Sequence, residues 1–113
     1  MGRASREKGK RGEREVVALA REHDLEADRT AALQAGGVPG AADVRLRAFP
    51  GLHVEVKRDQ RLSVDAMVRQ AEEEAPEGAT PVVAWRRDGM KWRADVPLGH
   101  YLALLSATTR RDT

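Results

Sequence analysis

The sequence predicts an α/β fold in the order helix, three strands, helix, two strands, helix. Three observations carry that reading. Residues 52–58, L-H-V-E-V-K-R, alternate apolar and polar side chains with the two-residue period of a strand. Val64, Met67, Val68, Ala71 and Ala75 recur at helical spacing behind Ser63, a good N-cap. Asp88-Gly89 separates the strand-like runs Pro81–Arg87 and Met90–Val96, as a two-residue hairpin turn does.

The first helix is expected from about Arg6 to His23. At 100° per residue Val16, Val17, Leu19 and Ala20 form its apolar arc, and Glu13 falls inside that arc while Glu15 and Glu22 fall outside. An acid in a buried stripe costs several kcal/mol unless it is paired or bound to a metal, so Glu13 calls for a partner. Gly9 and Gly12 share the arc, either to admit a neighbouring backbone or as a frayed helix start. Leu25 to Ala31 reads as a strand. The stretch Leu33 to Ala42, with Gly36, Gly37, Pro39 and Gly40, reads as a loop that lacks the ending of a nucleotide-binding P-loop. Asp43 to Phe49 is the second strand, Pro50-Gly51 a turn and Leu52 to Arg58 the third strand, so the three form a meander.

Beyond the second helix, the hairpin register sets Trp85 opposite Trp92 as a packing pair and gathers Arg86, Lys91 and Arg93 on the other face. Pro97 suits the first turn of a last helix, whose stripe is Leu98, Tyr101, Leu102 and Leu105. That stripe either packs on the sheet or forms an interface. Thr108 to Thr113 is expected to be a polar tail, and 1–113 a single domain with a basic segment at 1–12.

A chain of 113 residues can bury roughly two-thirds of its unfolded surface without staples. It has no cysteine, which excludes disulfides and thiolate metal sites and leaves oxygen and histidine as ligands. No apolar run approaches the roughly 20 residues of a membrane helix, and the first ten residues have no signal-peptide core, so a soluble, intracellular (cytoplasmic) protein without a membrane partner is expected. The net charge is only +2, but Arg3, Arg6, Lys8, Lys10, Arg11 and Arg14 crowd the start against Glu7 and Glu13. Such a cluster suits a phosphate backbone, and it also serves plain solubility. Arginine outnumbers lysine, which favours bidentate phosphate contacts or reflects GC-rich coding.

The chemistry concentrates on few positions. Along the third strand His53, Glu55 and Lys57 share a face, which is either a solvated, salt-bridged surface or a catalytic one. In a chain that is 34% charged, E-x-K arises readily by chance, so the joint placement with Asp43 on the adjoining strand matters more than either motif. An Asp and a Glu converging there suit Mg²⁺ or Mn²⁺, and Lys57 can position or help deprotonate an attacking water. His53 reads as a polar edge residue rather than a ligand.

These residues resemble the PD-(D/E)xK nucleases, and among them the archaeal-type and phage Holliday junction resolvases. K-G-K-R-G-E-R-E-V-V, Lys8 to Val17, is similar to the resolvases' K-G-x-x-x-E-R-E-L opening, and Asp43 with E-V-K at 55–57 supplies the core motif. The resemblance implies a restriction-endonuclease-like core, a central mixed β-sheet flanked by helices in the order αβββαββα. It implies a metal-dependent endonuclease that nicks four-way DNA junctions symmetrically as a homodimer, with Mg²⁺ as cofactor and Mn²⁺ as a substitute.

By that resemblance Asp43, Glu55 and the Val56 carbonyl hold the metal, and Glu13 completes the site directly or through water. Lys57 and Arg14 stabilise charge. Arg29 and Thr30 stand near the DNA phosphates, together with Arg3, Arg6, Lys8, Lys10 and Arg11 of the basic segment, and Gln70 is a possible helper. Two departures are visible: Ala42 replaces the usual proline before the acid, and the loop from Ala31 to Ala42 is longer than in short resolvases. Alternatives are another nuclease of the same fold, such as a flap or nicking endonuclease or a restriction-type subunit, and a non-catalytic DNA-binding module.

Overall fold

The computed structural model describes residues 3–30 and 42–111, and of residues 3–6 and 111 only the backbone. The expected glycine-bearing loop at 33–42 lies outside the described residues except for Ala42, as do the side chains of Arg3 and Arg6 and the last two positions of the expected tail. Among the described residues α1 (Arg3–Glu22) leads to β1 (Ala27–Arg29), β2 (Val44–Leu46) and β3 (Leu52–Arg58). There follow α2 (Val64–Glu74), β4 (Thr80–Arg86), β5 (Arg93–Asp95) and α3 (Leu98–Arg111).

One mixed sheet runs β1-β2-β3-β4-β5. Its pairs are antiparallel except β3 with β4, which lie parallel because α2 carries the chain back between them. α1 covers one face, where Val17 packs with Ala27, Val44, Val54 and Val56. α2 covers the other, where Met67 and Ala71 pack on Val83. The central strand β3 is therefore buried on both sides over residues 53–56. Its polar face is not the solvated one that alternation alone would allow.

Local chemistry explains the boundaries. α1 stops at a Schellman arrangement in which Leu25 N–H donates to the Ala20 carbonyl and Asp24 N–H to that of Arg21, 3.0 Å each, with Asp24 left-handed at φ 63°. Gly12 is where α1 meets β3: a Cβ there would stand 3.2 Å from Arg58 Cβ and 3.4 Å from Val56 Cγ1. Ser63 caps α2 by accepting from Ala66 N–H at 3.3 Å, and the helix ends at Ala75 as expected. β1 and β2 are shorter than expected, because the chain turns away after Leu46, where Phe49 N–H donates to the Leu46 carbonyl.

The β4–β5 connection departs from expectation. A turn does form at Asp88-Gly89, with Met90 N–H donating to the Arg87 carbonyl at 3.1 Å and Gly89 at φ 80°. The strands, however, resume only at Arg93 and pair Trp85 with Arg93 and Ala84 with Ala94. This is one residue off the expected register, and a one-residue slip flips faces. Trp92 packs beside α1 and Trp85 beside α2, on opposite sides of the sheet. Arg86 is drawn over Trp92 (5.6 Å to the ring centroid), whereas Arg87 and Arg93 flank Trp85 (5.5 and 6.0 Å), so the expected cationic cluster is divided.

The last helix packs on neither face. Residues 101–110 are all exposed, with Leu98 at 68% and Leu102 at 53%. Helix also continues through Thr108 and Thr109, whose hydroxyls donate to the carbonyls four residues back, where a tail was expected.

Candidate active site

Asp43 lies where β1, β2 and β3 meet. Its N–H donates to the Val54 carbonyl at 2.9 Å, and its carbonyl accepts from Thr30 N–H at 3.1 Å. Its Oδ2 accepts from Val56 N–H at 2.8 Å. The N–H and C=O of one strand residue point toward the same neighbour. The Val56 carbonyl is therefore directed to the Asp43 side, beyond the start of β2.

Val44 pairs with Val54, so Asp43 comes beside Glu55 on the face that α2 covers. Glu55 is 5% exposed. Burial, the Asp43 charge and hydrogen bonds shared with Asp43 and Glu74 push its carboxyl up to about 9. Apart from His53, whose Nε2 lies 2.7 Å from Glu55 Oε1, no basic side chain among the described residues bonds it. Lys57, two residues on along the same face, exerts its charge on Glu74. Gln70 donates to Glu74 Oε1 at 3.0 Å; that bond, ahead of the contacts to Glu55 and Lys57, holds Glu74 below the usual carboxylate range. Gln70 thus touches the site through Glu74.

Glu13 approaches from α1. Arg29 Nε donates to its Oε1 at 3.0 Å, which supplies the partner its place on a buried arc demands. Burial nonetheless raises its pKa, opposed by the Arg29 bond and reinforced by the Asp43 charge. Arg29 is thereby occupied by Glu13, while Arg14 is exposed beside it. Among the other expected DNA contacts Lys8 lies 3.9 Å from Asp88, Lys10 3.8 Å from Glu7, and Arg11 is exposed.

Two features were not anticipated. Glu15 is a hub: Arg86 Nε and Trp92 Nε1 both donate to its Oε1 at 3.0 Å, and Arg58 lies 3.6 Å from its other oxygen. Arg58 also reaches Asp88 at 3.3 Å, leaving its buried Nε without a hydrogen-bond partner. Glu74 is the second. It falls seven residues after Met67 and three after Ala71, so the helical period that marks the buried stripe also marks this acid among Glu72, Glu73 and Glu74.

The Asp43 and Glu55 carboxylates adjoin, whereas Glu13, on the α1 side, does not fall into one cluster of ligand atoms with them among the described residues. Carboxylate oxygens of this kind suit a hard divalent cation such as Mg²⁺. The described fold is α/β, a five-stranded mixed sheet with three helices. The structure of Hjc, a Holliday junction resolvase from the archaeal hyperthermophile Archaeoglobus fulgidus, is similar to this chain at 27% identity, a TM-score of 0.51 and coverage of 78% of this chain and 76% of that one. No family model matches the chain, and no curated protein sequence does. Among the described residues no helix is long and apolar enough to cross a membrane.

Proposed function

We propose that the chain is a metal-dependent, structure-selective endonuclease of the PD-(D/E)xK type that resolves four-way DNA junctions. The observation that carries this reading is the meeting of Asp43 and Glu55 carboxylates, with Lys57 on the same strand face and Glu13 across the sheet end, in a chain similar to Hjc. Asp43, Glu55 and the Val56 carbonyl would hold Mg²⁺, with Glu13 completing the set directly or through water and Mn²⁺ able to substitute. A cation bound there would supply charge to polarise the scissile phosphodiester and make water a better nucleophile.

Lys57 positions that water and helps remove its proton. Arg14, exposed beside Glu13, neutralises charge that builds on the phosphoryl oxygens. Water attacks phosphorus, the 3′ oxygen leaves and takes up a proton, and the ends are a 5′-phosphate and a 3′-hydroxyl. The basic start of α1, from Arg3 to Arg14 with Lys8, Lys10 and Arg11, tracks the backbone, and Arg29 and Thr30 border it near Asp43. Arg29 also fixes Glu13. Two symmetric cuts need two active sites related by a twofold axis. The exposed Leu98, Tyr101, Leu102, Leu104 and Leu105 of α3 provide an apolar surface for that homodimer.

The test is a cleavage assay with labelled four-way junction, flap and linear duplex side by side in Mg²⁺, alongside Asp43→Asn. Paired nicks in the junction, abolished by the substitution while gel-shift affinity survives, are expected. Preferential flap cutting would assign a different nuclease, and metal-independent or absent cleavage would leave a DNA-binding module.

A further inference from the structure

Glu55 also belongs to a ligand cluster that does not include Asp43. One ligand atom each of His53, Glu55 and Glu74 can be chosen so that all lie within 4.8 Å of one another, with His53 and Glu55 buried. His53 is 4% exposed on the central strand, a costly place for an imidazole, and its Nε2 lies 2.7 Å from Glu55 Oε1. Glu74 is held in place by Gln70, the kind of outer support that orients metal ligands. A cleft of about 240 Å³, lined in part by Thr30, Arg45, Pro76 and His53, opens beside the histidine.

We propose that His53, Glu55 and Glu74 form a second cation site, next to the Asp43 site and sharing Glu55 with it, that takes a borderline transition metal in preference to Mg²⁺. The preference follows from the imidazole. Mg²⁺ favours all-oxygen ligation with several waters retained, whereas Mn²⁺, Co²⁺ and Zn²⁺ accept a nitrogen donor, with Zn²⁺ the strongest binder of these. His53 Nε2 and Glu55 Oε1, now 2.7 Å apart in a hydrogen bond, would both serve as ligands in place of that bond. Gln70 acts through Glu74 as a positioning residue. The proposal rests on the reading of Asp43 and Glu55 as a cation site, and adds a site of different selectivity.

Titration of the metal-stripped full chain with Mn²⁺, followed by electron paramagnetic resonance, tests both together. Two Mn²⁺ per chain are expected, with lines broadened by a neighbouring spin. Excess Mg²⁺ should displace one, and one equivalent of Zn²⁺ the other. His53→Gln and Glu74→Gln should each retain one Mn²⁺ with the spectrum of an isolated ion, and Gln70→Ala should weaken the second equivalent about ten-fold. Glu74 is only half-buried, so Glu74→Gln keeps the test decisive should the buried His53 variant misfold, and circular dichroism of each variant checks its folding. One Mn²⁺ in the native chain, unaffected by both substitutions but lost in Asp43→Asn, would overturn this site and leave the nuclease reading standing. No Mn²⁺ in any protein at millimolar concentration would remove both.

Discussion

Replacing Glu55 by Gln is expected to stabilise the metal-free protein at neutral pH. The carboxyl is 5% exposed, between Asp43 and Glu74, and its pKa rises from 4.5 unfolded to about 9 folded. A raised carboxyl binds its proton more tightly in the native state. Its contribution is therefore fully present below pH 4.5 and is lost as pH climbs toward 9, because the unfolded chain gives up the proton first. From 4.5 to 7 is about 2.5 units at 1.36 kcal/mol each, a loss of about 3 kcal/mol at pH 7 against about 1 kcal/mol at pH 5. Glutamine carries no such loss, and its two amide N–H groups can serve Asp43 and Glu74, where the protonated acid has one O–H for the two. Urea unfolding in EDTA should place the Glu55→Gln midpoint about 1–2 M above that of the native chain at pH 7, with the gap narrowing at pH 5. Equal midpoints at pH 7, or a gap that does not change with pH, would refute the reasoning.

Other consequences of the structure are open to similar measurement. Gly12→Ala drives a methyl toward Arg58 Cβ and Val56 Cγ1 and should cost about 1–3 kcal/mol in chemical denaturation; an unchanged midpoint would show that α1 can shift away from β3. Glu15→Ala frees Arg86, Arg58 and the Trp92 indole together and should cost about 1–3 kcal/mol, with a red shift in tryptophan emission marking loss of the hub; intact emission and stability would make it a passive contact. Sedimentation at micromolar concentration should give about twice the 12.4 kDa chain mass, and Leu102→Arg should yield a folded monomer, since Leu102 is exposed in the single chain. A native monomer, or a Leu102→Arg dimer, would count against α3 as the interface.

How much of this was legible in the sequence varies with the range of the determining interaction. Residues 52–58 and 64–74 were readable to the residue at several ends, because strand alternation and the Ser63 cap are local. Glu13 announced its need for a partner through its place on the arc, though not that Arg29 supplies it. The tryptophan register failed because the turn alone does not fix it: pulling Arg86 and Trp92 toward Glu15 on α1 sets which face each takes, and that pairing spans 71 and 77 residues. Glu15 fell outside the apolar arc, and its partners were illegible for the same reason. Glu74 carried a local signal in its spacing from Met67, hidden by two neighbouring glutamates. That Glu55 is buried follows from β3 being central, a fact of topology that its own residues do not encode.

The division of the two tryptophans between the faces of the sheet gives the protein a pair of separate optical probes. Trp92 sits under Arg86 with its indole N–H on Glu15, so its emission reports whether α1 is seated. Trp85 lies between two guanidinium groups beside α2, the helix that carries Glu74, so its emission reports on the opposite layer. With one of them replaced by Phe at a time, the order in which the two layers form during refolding becomes readable from intrinsic fluorescence without any added label.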